Sequence, residues 1–325
     1  MRNFDGSGGP GQHVDFITPG KVCVIVPVRN GGTRWQEAAA ALRAAVPDPA
    51  MVAVVDSSSE DGSDAVAAAH GFRLQRIAAD TFNHGRTRQE AISRFGGGIP
   101  FIIFLTQDAI VKGPDSLLRL VAAFEDPQVG AAYGRQMPHR NAGSFETHGA
   151  LFNYAATSRT KALADAAKLG VKTTYLSNSF AAYRASALFA CGGFPDHLIL
   201  AEDAYLAAKL LLAGWRVRYC ADACVLHSHA YTVRQEMQRY FDFGVMHAQM
   251  PEILSRFGAP DAEGLRFLMS ELRYMSKQAP GLLPEVLIRN SLKYLGYRLG
   301  RHYRLLPAPW RRRLSMTKGF WGAAS

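Results

Sequence analysis

Val22-Cys-Val-Ile-Val-Pro-Val28 is a β-branched run that breaks into Arg29-Asn30-Gly31-Gly32, the composition of a strand followed by a turn. The same grammar repeats downstream. Residues 35–45 are rich in Ala and Leu and read as a helix, and Met51-Val-Ala-Val-Val55 is a second apolar strand that stops at Asp56-Ser57-Ser58-Ser59. A helix over about 62–70, a strand near 72–77, a helix over 87–94 and a strongly apolar strand over 100–105 complete the series. Strands with unbroken apolar runs, alternating with helices, predict a mainly parallel sheet covered on both faces. The order β-α-β-α-β-α-β over the first 110 residues therefore predicts a nucleotide-binding α/β half. That is a class and supplies no activity.

Composition bounds the rest. At 325 residues, with 48% apolar and 20% charged residues, the chain has ample material for a core and is neither disordered nor collagen-like. The longest uncharged apolar run, 99–105, is far short of the roughly 18 residues a spanning helix needs. The first 20 residues are Gly-rich and polar, without a basic-then-apolar signal pattern, so a flexible N-terminus and no export are expected. Four cysteines, Cys23, Cys191, Cys220 and Cys224, fit a reducing compartment; the CxxxC pair has no second pair, so Cys220 and Cys224 read as buried free thiols.

The net charge of +10 is localised. After Glu285 there is no acidic residue and there are nine basic ones: Arg289, Lys293, Arg298, Arg301, Arg304, Arg311, Arg312, Arg313 and Lys318. Without them 28 basic residues face 27 acidic ones. The tail's cations alternate with Leu292, Tyr294, Leu295, Tyr297, Leu299, Tyr303, Leu305, Leu306, Trp310, Leu314, Phe320 and Trp321. Basic residues interleaved with aromatics suit an anionic membrane surface. A solvated helix is the plainer alternative, and no nucleic-acid motif accompanies the charge, so nucleic acid is not an expected partner.

Further along, a helix is expected over 117–124 and a strand over 129–133. Helical composition covers 145–169, extended chain 173–183 and a Gly/Pro loop 191–196. An amphipathic helix follows over 201–213, then a strand over 215–219, and mostly helix from 232 onward. The expected organisation is a flexible stretch 1–20, a catalytic domain 21–231 and a helical, basic extension 232–325.

Ligands of parallel α/β sheets bind outside the carboxyl ends of the strands, so polar residues that abruptly follow apolar strands are the first candidates. Asp56 and Thr106-Gln107-Asp108 stand there. A strand-end carboxylate can accept bonds from a base or ribose, and a second can hold a divalent metal against a diphosphate; the bland alternative is a helix cap. Neither GxxxxGK[ST] nor a GxGxxG after the first strand is present, so a P-loop enzyme and a dinucleotide enzyme are unsupported. Glu202-Asp203 opens the 201–213 helix, where acids offset the helix dipole or one of them serves as a general base. In His227-Ser228-His229, extended backbone would turn both imidazoles to one side, as metal ligands would be.

Taken together, these motifs resemble those of a family 2 glycosyltransferase with the GT-A fold. The residues that carry the resemblance are Val24-Ile-Val-Pro-Val-Arg-Asn30, Val55-Asp56-Ser57-Ser58-Ser59-Glu60-Asp61-Gly62-Ser63, Phe104-Leu-Thr-Gln-Asp108, Gly192-Gly193-Phe194-Pro195, Glu202-Asp203 and His227-Ser228-His229. More narrowly, Phe82-Asn-His-Gly-Arg-Thr-Arg88, Gly134-Arg-Gln136, Ser177-Asn-Ser-Phe180, Ala182-Tyr-Arg184, Arg239-Tyr-Phe-Asp-Phe-Gly244 and Leu314-Ser-Met-Thr-Lys-Gly-Phe-Trp321 resemble bacterial rhamnosyltransferases. The resemblance implies donor contacts at Pro27, Val28, Arg29, Asn30, Asp56, Ser58, His84, Arg88, Gln107 and Asp108. It implies acceptor or sugar contacts at Arg135, Asn178, Ser179, Arg184 and Gly193. It also implies Mg2+ or Mn2+ on Asp108 with His227 or His229, Thr106 standing where the family's first metal-motif Asp would be. Asp203 matches the general base, with Glu202 beside it.

The implied reaction is an inverting transfer of a deoxyhexose, L-rhamnose from dTDP-rhamnose, to a saccharide or lipid-linked saccharide in cell-surface polysaccharide synthesis. The enzyme would sit in the cytoplasm, peripheral on the inner face of the membrane through its basic tail. A UDP- or GDP-sugar donor on the same fold, or an inactive nucleotide-sugar-binding scaffold, are the alternatives.

Overall fold

The computed structural model describes residues 17–258 and 261–322, so most of the stretch 1–20 expected to be flexible lies outside the described residues. β1 (Val22–Val28), α1 (Gly32–Ala45), β2 (Val52–Asp56), α2 (Ser63–Ala69), β3 (Arg73–Arg76), α3 (His84–Phe95) and β4 (Phe101–Leu105) follow in the expected alternation. Then come β5 (Ile110–Val111), α4 (Ser116–Val121), β6 (Val129–Met137), α5 (Ser144–Asn153), β7 (Arg159–Lys161), α6 (Ala166–Leu169), β8 (Phe180–Arg184), α7 (Ala185–Ala190), α8 (Glu202–Leu212) and β9 (Arg216–Leu226). The chain continues in helices: α9 (Val233–Gln249), α10 (Pro251–Phe257), α11 (Asp261–Gln278), α12 (Leu283–Arg301) and α13 (Ala308–Leu314).

One sheet runs β3-β2-β1-β4-β8-β6-β9-β5, with β7 also paired to β9. This order is consistent with the GT-A fold that the motifs resemble. The β3-β2-β1-β4 half is parallel, as the alternation predicts. Beyond β4 the sheet is mixed: β8 is antiparallel to both β4 and β6, and β9 is parallel to β6 but antiparallel to β5 and β7. The apolar runs are continuous because both faces are covered. Val22, Val24, Val26 and Val28 enter one core cluster and Cys23 and Ile25 the other. In the same way Phe101, Ile103 and Leu105 oppose Ile102 and Phe104, the period-2 alternation of a strand.

This topology sets the site. Because β8 is antiparallel to both β4 and β6, the carboxyl ends of β1, β2, β4, β6 and β9 share one edge with the start of β8. The strand order reverses between β1 and β4, which opens a crevice there. β1 pairs with β2 as far as Val28↔Asp56 but with β4 only as far as Ile25↔Phe104. Pro27 thus sits beyond the last β1–β4 pair, where a missing N–H removes no ladder bond to β4.

Two expectations need correction. Residues 145–169 are not one helix: α5 ends at Asn153 and the chain returns as β7 on the edge of β9. Residues 173–183 are only partly extended. A 3-10 turn occupies Gly170–Thr174, where the Thr173 and Thr174 hydroxyls donate to the carbonyls of Gly170 and Val171; such local bonds compete with a strand ladder.

The C-terminal helices are docked to the core. α9 and α12 cross with backbones in contact: a side chain at Gly300 would collide with the Phe241 carbonyl, and one at Gly244 with that of Tyr297. The buried Asp242 carboxylate accepts from the Met316 and Thr317 N–H groups and the Thr317 hydroxyl, each at 3.0 Å. It thereby ties the Leu314–Trp321 motif to the Arg239–Gly244 motif. Leu299, Tyr303, Leu306, Leu314, Phe320 and Trp321 pack inward on the core, whereas Tyr294, Leu295, Leu305 and Trp310 are exposed. The aromatic tail is therefore only partly a free surface. No helix among the described residues is long and apolar enough to cross a membrane. Cys220 is buried and Cys224 half-buried, both as free thiols.

Candidate active site

Asp108 follows β4 and His227 and His229 follow β9, two strand ends on the same edge. The Asp108 carboxylate lies 3.4 Å from His227 Nε2 and 3.6 Å from His229 Nδ1. One donor atom from each of the three residues falls within 4.8 Å of the others. His227 Nδ1 donates to Gln136 Oε1 at 2.7 Å, and Gln136 Nε2 donates to the Ser177 hydroxyl at 2.9 Å. The Gln136 amide is thereby oriented, so His227 Nδ1 carries a proton and the ring turns Nε2 toward Asp108. Ser228, between the two histidines, faces the other way: its hydroxyl donates to Glu146 at 3.0 Å and accepts from the His139 N–H. Burial works against ionisation of Asp108, yet the His227 hydrogen bond and both imidazoles hold its carboxyl well below the usual range. Burial, then the neighbouring His227, pushes His229 down to about 4, so it is a neutral imidazole at pH 7. Two imidazole nitrogens and a carboxylate, oriented from behind, fit a divalent transition ion.

The loops after β1, β2 and β4 are locked to one another. Gln107 clips the end of β1: its Oε1 accepts from the Arg29 N–H at 2.6 Å and its Nε2 donates to the Arg29 carbonyl at 3.1 Å. Asn30 accepts from Glu60 N–H through its side chain and donates its own N–H to the Ser59 hydroxyl. Asp56 is buried; Oδ2 accepts from the Ser59 N–H, while Oδ1 has no protein partner. The Ser58 hydroxyl donates to the Ile77 carbonyl. Among the described residues the non-glycine positions with positive φ are Asn30 (47°), Ser58 (55°) and Ala201 (62°), and all three border this edge. Such backbone costs on the order of 1–3 kcal/mol per residue and persists where surroundings over-determine it.

Ala201 leads into Glu202-Asp203, two neighbouring acids with opposite environments. Glu202 is buried and closed off by the Arg88 guanidinium at 2.9 Å and the Asn178 amide at 3.0 Å. Burial raises its pKa, but Arg88, then His84 and Asn178, bring it below the ordinary value, so it is ionised. Among the described residues Asp203 has no ion-pair partner, and its two oxygens accept the Asn178 and Ala204 N–H groups, at 2.9 and 2.8 Å, so each keeps a lone pair free. Burial, and then the Glu202 charge, pushes Asp203 up to about 7. Environments that drive two adjacent carboxyls apart separate a fixed anion from a proton acceptor. The pair is joined to the metal-type cluster through neighbours in sequence: Asp108–His227–Gln136–Ser177, then Asn178–Asp203 and Glu202–Arg88.

Comparison with known proteins fits this geometry. Residues 101–241 match the model of the glycosyl transferase family group 2. The chain is 43% identical over 299 residues, 92% of its length and 95% of the relative's, to the O-antigen chain rhamnosyltransferase WbaN of Salmonella anatum. It is also 43% identical over 302 residues to RfbN of Salmonella typhimurium, covering 93% and 96% of the two chains. The chain belongs to the family 2 glycosyltransferases. Among solved structures, the mannosyltransferase PcManGT of Pyrobaculum calidifontis, in complex with GDP-Man and Mn2+, superposes with a TM-score of 0.53 at 19% identity, over 94% of this chain and 86% of that one. At that identity the likeness shows the fold.

Not every residue expected in this glycosyltransferase site is gathered there. Arg184 lies at the far end of β8, opposite Phe101 at the start of β4, and its guanidinium donates to the carbonyls of Phe124, Asp126 and Val129. It is a structural clamp at the opposite edge of the sheet. Arg88 is inside the site but spends its charge on Glu202, with further bonds to the His84 carbonyl and ring, so it positions the pair rather than offering a free anion site. Gly193 is held against Gln89, whose Oε1 accepts from Phe194 N–H. Arg135 is next to Gln136 on β6, half-buried, with its charge acting on the Tyr219 hydroxyl. Ser179 lies between Asn178 and β8, and His84 sits at the start of α3, its ring 3.5 Å from Arg88. Gln136 and Ser177, quoted above only as parts of motifs, prove to be the link between the two halves of the site. A cavity of about 570 Å³ lined by Lys168, Arg256, Arg266 and Glu263 among others contains none of these residues.

Proposed function

We propose that this glycosyltransferase moves L-rhamnose from dTDP-rhamnose to a saccharide or lipid-linked saccharide acceptor, by a single displacement with inversion. The observation that carries the mechanism is the continuous bond path from Asp108 to Asp203, which supports donor and acceptor sites that share one edge of the sheet. Rhamnose as the sugar, and polysaccharide as the product, are supported by the two O-antigen rhamnosyltransferases that match nearly the whole chain.

In this reading an Asp203 oxygen accepts the proton of the acceptor hydroxyl through its free lone pair. The hydroxyl oxygen bonds to the anomeric carbon as the bond from that carbon to the diphosphate oxygen breaks, and the nucleoside diphosphate leaves. Glu202, fixed by Arg88 and Asn178, stays anionic and keeps Asp203 basic. Asp56, with its unsatisfied Oδ1, would take the nucleoside, beside the locked Pro27–Asn30 and Ser57–Ser58 backbone. Asp108, His227 and His229 would hold Mn2+ or Mg2+, which when bound neutralises charge on the departing diphosphate. The two imidazoles in the donor set favour Mn2+ over Mg2+.

The test is thermal stabilisation by dTDP, UDP, GDP and their sugars, with and without Mn2+. dTDP with Mn2+ at 100 times its Kd is expected to add about 2.7 kcal/mol of stability, and the other bases far less at equal concentration. Preference for UDP or GDP would sink the donor assignment.

The membrane reading narrows to what is exposed. Tyr294, Leu295, Leu305 and Trp310 lie on the outer surface with Arg298, Arg304, Arg312 and Arg313, while Arg289, Lys293, Arg301 and Arg311 face inward onto carboxylates or carbonyls. The exposed set supports peripheral binding at the cytoplasmic membrane. Partition onto vesicles containing phosphatidylglycerol is expected to exceed that onto neutral vesicles and to fall with salt. Arg312→Ser with Arg313→Ser should cost roughly 2 kcal/mol of partition free energy, about 1 per cation. Equal binding to neutral vesicles, or none to either, would refute it.

A further inference from the structure

We propose that Arg239, on α9, is a binding residue for a phosphate of a diphosphate-bearing ligand in the cleft. The inference rests on the transferase reading and adds to it a residue outside the strand-end motifs.

The geometry begins at the cluster. His227, His229 and Tyr231 recur at every second position, and their rings touch in series, edge-on between the histidines with centres 4.6 Å apart and tilted from His229 to Tyr231 at 5.2 Å. The next member is Arg239: its guanidinium carbon is 5.4 Å from the Tyr231 ring centre and 5.2 Å from that of Phe243. The row that starts on the Asp108 cluster thus ends on a cation from the C-terminal helices. The contact between α9 and α12 at Gly244 and Gly300 fixes how far α9 leans toward the site.

The cation is uncommitted. Two other arginines on these helices are spent, Arg289 on Glu236 and Glu285 and Arg301 on the His247 carbonyl. Arg239 is half-buried, and among the described residues its guanidinium has neither a carboxylate partner nor a hydrogen-bond acceptor. Rings against a planar guanidinium restrain it while leaving its N–H edge available, and that edge matches phosphate oxygens in pairs. Through the Tyr231 ring it is linked to His229, which lies 3.6 Å from the Asp108 carboxylate. The anion there is either the diphosphate of the donor or the diphosphate of a lipid-linked acceptor; a doubly charged phosphate oxygen set is common to both.

Arg239→Met keeps the apolar stem and removes the charge; Arg239→Lys keeps the charge and removes the paired donors. Binding is read by calorimetry for three probes: Mn2+ alone, dTDP with Mn2+, and farnesyl diphosphate in detergent micelles. A lost charge-assisted bond predicts about 10- to 100-fold weaker binding of one diphosphate probe to Arg239→Met, partial recovery in Arg239→Lys, and unchanged Mn2+ affinity. Loss confined to dTDP assigns the donor, and loss confined to farnesyl diphosphate assigns the acceptor; either supports the proposal. Wild-type affinity for both diphosphate probes in a folded Arg239→Met overturns it, and so does wild-type affinity in Arg239→Lys should the Met variant not fold. A wild-type chain that binds neither diphosphate would overturn the transferase reading itself, a result distinct from unchanged binding in the variants.

Discussion

Asp203→Asn is expected to lower the rate of transfer by about 10² to 10⁴-fold, the range of a positioned general base, while dTDP binding in the presence of Mn2+ stays within a few-fold of wild type. The reasons lie in the site. Asparagine keeps the volume and an oxygen for one of the two backbone N–H groups, of Asn178 and Ala204, that Asp203 accepts, but it has no lone pair basic enough to take a hydroxyl proton. The pH profile is the sharper readout. Burial and the Glu202 charge place the Asp203 pKa at about 7, above its ordinary value of 3.8. The group is therefore protonated and inactive as a base below that pH, so kcat/KM should rise tenfold per pH unit on the acid side and level off above about 7. In Asp203→Asn the residual rate should be flat across that window. Glu202→Gln tests the cause: with the neighbouring charge gone, the acid limb should move to lower pH. It also leaves Arg88 buried without its partner, a change of the kind that costs about 3–5 kcal/mol, so the profile is compared only at temperatures where the variant is folded. A wild-type pH profile in Asp203→Asn would sink the base assignment.

What the chain discloses by itself follows the physics of each feature. The parallel half of the sheet was legible because strands buried on both faces must be unbroken apolar runs, as Val22–Val28 and Phe101–Leu105 are. The metal-type cluster was legible because its residues sit directly after such runs, and because a spacing of two on extended chain turns His227 and His229 to one side. The edge strand β7 was hidden: Arg159-Thr-Lys161 carries no apolar alternation, and only its pairing with β9 makes it a strand. Partner choice was hidden too. Arg88 and Arg184 look alike as phosphate binders, yet one neutralises a buried glutamate and the other caps carbonyls at the opposite edge. The antiparallel insertion of β8 that separates those fates is a tertiary fact. The tail illustrates the same limit, since apolar and basic residues interleave in sequence while the docking of Asp242 decides which of them turn inward.

Asp108→Ala should abolish Mn2+-dependent stabilisation by dTDP and reduce transfer to the metal-free level. Among the described residues Asp108 is the carboxylate grouped with the two imidazoles. A site of this make-up has no spare ligand, and losing its only anionic one should weaken Mn2+ by more than the 10- to 100-fold that outer partners are worth. Gln136→Leu measures that smaller step. It removes the acceptor that holds the His227 proton on Nδ1, so Mn2+ affinity should fall by about 10- to 100-fold with Asp108 intact. The two variants give an ordered series, wild type above Gln136→Leu above Asp108→Ala, in metal titrations followed by calorimetry. Removal of metal by chelator should stop wild-type transfer, and Mn2+ should restore it at lower concentration than Mg2+, because nitrogen donors suit the former and Mg2+ holds its water against them. Full activity in chelator, or equal restoration by Mg2+ with Asp108→Ala still active, would remove the ion from this site and leave Asp108 as a partner of two histidines.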